Sequence, residues 1–152
     1  MSKSVQISQP LREWMDVFMH RSMRGWNQFA KSTGLSMPQF SILMQLHYKG
    51  ACGMSEISER FDVSAAAASQ LVDKLVQAGY IERTEDPHDR RARLLKLSVN
   101  GAKLVDNGIQ ERYRWMDTLT SSLSSSDQKK ITEALDILTE AAQQMEQPRK
   151  SP

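Results

Sequence analysis

The side chains best equipped for chemistry in this 152-residue chain stand together in "DPHDRRARLLKLSVNG", Asp86 to Gly101. Asp86, Asp89, Arg90, Arg91 and Arg93 mix both signs of charge at the head of an apolar/polar alternation. A guanidinium is a planar fork of donors that fits carboxylate or phosphate oxygens two at a time, and a nearby carboxylate can hold that fork in one orientation. Such chemistry recognises an anion; it does not make or break bonds. Two readings follow, a turn whose charges are simply hydrated or a basic prong that meets a polyanion. A second group lies just upstream in "SAAAASQLVDKLVQAG", where Ser64, Ala65, Ala66, Ser69, Gln70 and Lys74 offer small or hydrogen-bonding side chains.

Catalysis finds no support. The chain holds no Ser/His/Asp set in a known arrangement, no carboxylate pair in an apolar setting and no phosphate-binding glycine loop, so it reads as a non-enzyme. A single cysteine, Cys52, excludes an internal disulfide and a cysteine zinc cluster, and His20, His47 and His88 lack ligand spacing. No metal and no cofactor are expected. The formal net charge of +2 is too small to identify a polyanion partner, so any such signal must come from where the charges sit. No run approaches the length of a membrane span, and "MSKSVQISQP" lacks the basic start and apolar core of a secretory signal, which predicts a cytoplasmic protein with no membrane partner.

The elements that must position these groups are mostly helices. Leu11, Trp14, Met15, Phe18, Met23, Trp26 and Phe29 follow the helical period up to Gly34. Ser36 and Gln39 form a capping-box pattern, with Pro38 in the first turn, for a second helix carrying Phe40, Leu43 and Leu46. A short third helix runs from Met54 to Phe61 with Ser55 as its expected cap, and Cys52 falls in the loop before it. Ser64 then caps a fourth helix with an apolar stripe at Ala68, Leu71, Val72 and Leu75, and Gly79 ends it. Its other face is stripped of long side chains. Alanine is the best helix former, which explains the pattern by itself; small side chains also let a helix backbone approach something large.

Two helices joined by a tight turn, the second with a bare polar face, match a helix-turn-helix, whose second helix enters the DNA major groove. Tyr80, Ile81 and Arg83 open a strand, Asp86-Pro87 turns it, and Leu95 and Leu97 alternate with Leu94 and Lys96 on the return. A hairpin in that place is the wing of a winged helix. Beyond it, Ser98 or Asn100 caps a long helix through Ala102, Val105, Ile109, Tyr113, Met116, Leu119 and Leu123. Ser124 to Asp127 restart a last one with Ile131, Leu135, Leu138, Ala142 and Met145 on one face. Together with the first helix these faces exceed what one copy can bury, and a symmetric homodimer would cover them. The fold class is therefore mainly α with a small β-hairpin wing (α+β), a winged helix-turn-helix lobe plus a helical dimerisation bundle. The divisions are 1–35 for the N-terminal helix of the dimerisation region, 36–101 for the DNA-binding domain, 102–147 for the C-terminal dimerisation helices and 148–152 for a frayed tail.

From about Leu11 to Met145 the sequence resembles the MarR (multiple antibiotic resistance regulator) winged-helix transcription factors. The resemblance rests on Leu75, Gly79, Tyr80 and Ile81 at the end of the fourth helix. It rests also on the wing pattern Asp86, Pro87, Asp89, Arg90, Arg91 and on Leu97, Ser98 and Gly101 after it. Family members more often carry threonine where Ser98 stands. The resemblance implies a homodimer on double-stranded DNA, gripping a short pseudo-palindrome with one recognition helix in each of two major grooves and one wing in each flanking minor groove. It also implies a sequence-specific regulator, usually a repressor, retuned by a small phenolic or aromatic effector bound between the dimer helices and the DNA-binding lobe.

Within that scheme Arg91 is the expected minor-groove probe, since a narrow A·T-rich groove concentrates negative potential, and Asp89 would hold its guanidinium in a bidentate pair. Arg90 and Arg93 are assigned to phosphates. On the recognition helix, Gln70 suits adenine, Lys74 a guanine or phosphate, Ala65 and Ala66 thymine methyls, and Ser64, Ser69 and the helix N-terminus phosphates. The redox-sensing branch of the family carries its cysteine in the first helix, which here has none, so Cys52 is read as an ordinary thiol; His88 is read as a turn residue. The methionines and Trp14, Trp26 and Trp115 are assigned to packing. The alternative is a winged-helix module that binds DNA without sequence preference, or binds a protein partner; the alanine-rich face allows it.

Overall fold

Caps fix where the helices of this chain begin. In the computed structural model, which describes residues 4–89 and 91–146, six helices and a small antiparallel sheet follow one another. Helix α1 (Ser4–Thr33) starts earlier than the apolar period from Leu11 indicates and runs through Pro10. The proline removes one helical donor, and α1 continues on both sides of it. Helix α2 (Met37–Lys49) begins at the Ser36 cap, where Gln39 N–H donates to Ser36 Oγ (3.4 Å) and Ser36 N–H donates to Gln39 Oε1 (2.9 Å).

Strand β1 (Cys52–Gly53) follows, and then α3 (Met54–Arg60). Two expectations are corrected here. Cys52 lies in a strand rather than a loop, and the cap of α3 is Gly53, whose N–H donates to Glu56 Oε2 at 2.8 Å; Ser55 sits inside the first turn. Asp62 takes φ +50° in the turn to α4 (Ala65–Gln77), a left-handed conformation that aspartate tolerates better than most residues. Strands β2 (Ile81–Glu85) and β3 (Arg93–Leu97) form the hairpin, and β1 pairs with the outer side of β3, Cys52 opposite Leu95, giving the order β1-β3-β2. Helices α5 (Val99–Ser121) and α6 (Ser125–Glu146) complete the chain.

Residues 1–114 form one unit. Its main core joins Ile42, Leu43 and Leu46 of α2, Ile57 of α3, Ala68, Val72 and Leu75 of α4, Ile81 and Leu95 of the hairpin, and Val105 of α5. Burying each aliphatic side chain of this kind contributes about 1.5–3 kcal/mol. A smaller cluster holds α1 in place: Trp26 meets Phe40 edge-on with ring centroids 4.6 Å apart, and Phe29 meets the same ring at 5.9 Å. Gly108 of α5 is there because a Cβ would come within 2.9 Å of Phe29 and 3.0 Å of Phe40. The other unit, from Trp115, contains the end of α5 and all of α6, with Ser124 as the cap that accepts Asp127 N–H at 3.1 Å. Every described side chain of α6 is exposed, and Ile131, Leu135, Leu138 and Met145 share one face. Among the described residues no helix is long and apolar enough to cross a membrane.

Candidate nucleic-acid interface

Helix α4 is built from its two ends. At the start, Ser64 Oγ accepts Ala67 N–H at 3.1 Å and Ser64 C=O accepts Ala68 N–H, so the N–H groups of Ala65 and Ala66 have no intrahelical acceptor and point out of the helix end. At the finish, Gly79 has φ +77°, Gly79 N–H donates to Val76 C=O and Tyr80 N–H to Leu75 C=O, both at 2.9 Å. This paired pattern is a Schellman stop, and it turns the chain straight into β2. Between the ends, Ala68, Val72 and Leu75 are buried and Ala66, Gln70 and Lys74 are exposed on the other side; Ser64 and Ala65 are exposed at the N-terminal end, and Ser69 is half-buried.

The hairpin base is pinned to the same place. Ser98 Oγ donates to Gly79 C=O at 2.5 Å and accepts Gly101 N–H at 3.0 Å, and Ser98 N–H donates to Tyr80 C=O at 3.0 Å. Ser98 is thus the cap of α5, the first of the two positions expected for that role, and it ties the start of α5 to the end of α4. Gly101 completes the junction, since a Cβ there would lie 2.1 Å from Tyr80 O.

At the tip, both carboxylates hold the backbone. His88 N–H donates to Asp86 Oδ1 (2.8 Å), Arg91 N–H donates to Asp89 Oδ1 (2.9 Å), and Ala92 N–H donates to Asp89 C=O (2.9 Å). These are Asx turns, in which a short acidic side chain substitutes for a backbone acceptor. Asp89 was expected to grip the Arg91 guanidinium. No Asp89–Arg91 ion pair is present among the described residues; the carboxylate takes the main-chain N–H of the same arginine instead. Arg90 lies outside the described residues.

The other cations of the hairpin are matched to acids. Arg93 Nη1 lies 3.4 Å from Glu85 Oε1, and Lys96 Nζ lies 3.3 Å from Glu82 Oε2, both pairs directly across the β2/β3 ladder and largely exposed. Exposed pairs of this kind are worth about 0–1 kcal/mol, so Arg93 can exchange Glu85 for a phosphate at little cost. Arg91 is exposed, with no ion pair among the described residues. Sequence reasoning missed one contact altogether: Arg83 of β2 forms an ion pair with Asp73 of α4, whose other oxygen accepts Ser69 Oγ–H at 3.4 Å. Nothing in the spacing of ten residues singles out that acid for that arginine.

Cys52 is buried, and the loss of hydration raises its thiol pKa above the usual value, with the Glu56 carboxylate adding to the effect. It has no reach to the exposed helix face or the wing tip.

A family model described as MarR family matches residues 35–92. Among curated relatives, the HTH-type transcriptional regulator YfiV of Bacillus subtilis is 28% identical over 107 residues, 70% of this chain and 67% of that protein. The multiple antibiotic resistance protein MarR of Escherichia coli is 25% identical over 97 residues, 64% of this chain and 67% of its own length. The matches therefore span about two-thirds of these relatives. Among solved structures, the transcriptional regulator Tm0710 from Thermotoga maritima superposes with a TM-score of 0.80 at 26% identity, covering 90% of this chain and 96% of that one. A mutant of Escherichia coli MarR complexed with operator DNA has a TM-score of 0.54 at 22% identity over 85% of this chain and 93% of its own; it shares the fold.

Proposed function

We propose that this chain is a MarR-family winged-helix DNA-binding transcriptional regulator, a reading supported by the family-model match and by similar regulators, and that it acts as a homodimeric repressor of a pseudo-palindromic operator, in the cytoplasm, and is retuned by a small aromatic effector. One observation carries the DNA reading above the others: a helix face rich in small side chains and an exposed Arg91 on a hydrogen-bonded hairpin tip belong to one lobe, pinned together at Ser98. Side chains at Ser64, Ala65, Ala66, Ser69, Gln70 and Lys74 read or flank the major groove, Arg91 enters the minor groove, and Arg90 and Arg93 meet phosphates.

The dimer reading is supported by exposed apolar side chains on both terminal segments. Leu11, Trp14, Met15 and Met23 are exposed on α1, and Ile131, Leu135 and Leu138 on α6. A stable interface buries about 1,200–2,000 Å² in total, at roughly 25 cal/mol for each apolar Å². The effector reading draws on the resemblance to the family.

A second reading, DNA coating without sequence preference, is favoured by the alanines that occupy the first turn of α4, where base-reading side chains would otherwise stand. Selection of bound sites from random duplexes decides between the two. A symmetric consensus with A·T-rich outer edges is expected, and Arg91→Ala should remove the preference at those edges and reduce the salt slope by about 2 per dimer. Recovery of no consensus refutes sequence-specific regulation.

A further inference from the structure

We infer that Asp73 and Arg83 are positioning residues: their ion pair is a strut that sets the pitch of the hairpin relative to the recognition helix, an inference that rests on the DNA-binding reading above. Asp73 follows Ala66, Ser69 and Gln70 by seven, four and three positions, so it stands on the same exposed face of α4. A bare carboxylate there would repel phosphates. Instead both oxygens are engaged, Oδ1 by the Arg83 guanidinium and Oδ2 by Ser69.

Arg83 reaches α4 because of strand register. It pairs across the ladder with buried Leu95 and shares a face with buried Ile81, two residues before it, so its side chain leaves the sheet on the side where α4 packs. The contacts of Ser98 and Tyr80 tie the hairpin to α4 at its base, and β1 holds the β3 edge at Leu94 and Leu95. With β3 held by β1, the outer strand β2 can still swing about it. From Ile81 to Asp86 the strand extends about 16 Å at 3.3 Å per residue, so a tilt of about 10° at the base moves the tip by roughly 3 Å, the scale of a lost groove contact. A second fixed point at Arg83 removes that freedom, and it also cancels the one negative charge on the reading face of α4.

The test uses the full chain with Asp73→Asn, Arg83→Gln and the reversed pair carrying Asp73→Arg together with Arg83→Asp. Without DNA, amide hydrogen exchange in β2 and β3 should quicken about two- to fivefold in each single variant, the range an exposed pair supports, and return towards the parent rate in the reversed pair. With DNA, anisotropy titrations on the selected site and on a scrambled duplex separate charge from geometry. Asp73→Asn makes the protein more positive, so the scrambled duplex should bind more tightly while the preference for the selected site falls about two- to fivefold per subunit. Unchanged hairpin exchange in both single variants, or equal tightening on both duplexes, overturns the strut. If the parent protein prefers no duplex, the DNA reading fails, and the exchange measurements alone uphold or overturn the mechanical coupling.

Discussion

Replacing Asp89 separates two accounts of the wing. The carboxylate accepts Arg91 N–H at 2.9 Å and forms no ion pair with the guanidinium among the described residues, so its contribution is to the shape of the tip. A hydrogen bond of this kind contributes about 0.5–1.5 kcal/mol net. Without it the tip at Asp89 samples more conformations in the free protein, and DNA must order it on binding, at about 1 kcal/mol or more for each residue newly fixed. Two wings per proposed dimer make the expected loss about 1–3 kcal/mol, or roughly five- to 150-fold in affinity for the selected site. Asp89→Ala should show that loss even though it makes each subunit more positive. Asp89→Asn keeps an Oδ1 acceptor and discards the charge; it should bind the selected site as tightly as the parent or more tightly. Anisotropy titrations at several salt concentrations measure both. Tighter binding by both variants would mean that the turn is irrelevant and only charge matters. Asn as damaging as Ala would restore the guanidinium pair that the sequence suggested.

Other substitutions probe the frame. Gly101→Ala puts a methyl 2.1 Å from Tyr80 O and should lower the melting temperature by about 5 °C or more, followed by circular dichroism; an unchanged melt would show that the α4/α5 junction is not tight. Leu135→Glu places a charge on the exposed apolar face of α6 and should give a monomer in sedimentation at low micromolar concentration together with a loss of DNA affinity; an intact dimer contradicts the assigned interface. Burial raises the Cys52 pKa, so the folded protein should react slowly with iodoacetamide near neutral pH and quickly once unfolded; the same shift stabilises the fold below the thiol's unfolded pKa and is lost as pH rises through the raised folded value.

How much of this was legible beforehand differs from element to element for physical reasons. Ser36, Ser64 and Gly79 announce helix ends because the groups they satisfy are local, three or four residues away. The hairpin is visible because Ile81 and Leu95 carry a strand period of their own. Strand β1 is not, since two residues have no period and Cys52–Gly53 becomes a strand only by pairing with Leu94 and Leu95. At α3 the sequence pointed to Ser55 as the cap, and Gly53 takes that place because Glu56, three residues after it, reaches back to the Gly53 N–H. Charge partners were the least legible. Asp89 prefers the nearest backbone donor to a long side chain two residues away, and Asp73 finds an arginine from another element.

The contacts of Ser98 with Gly79 and Tyr80 bring the two ends of the hairpin to one point. The chain between them is therefore an excursion that departs from and returns to the same small neighbourhood, and among its described residues the buried members of the main core are Ile81 and Leu95. A loop with closed ends can be lengthened, shortened or exchanged with a modest entropic penalty. The turn between Glu85 and Arg93 is thus a natural cassette: grafting a tip of different length or charge there should retarget the proposed minor-groove contact while the helices, their caps and their melting behaviour stay as they are.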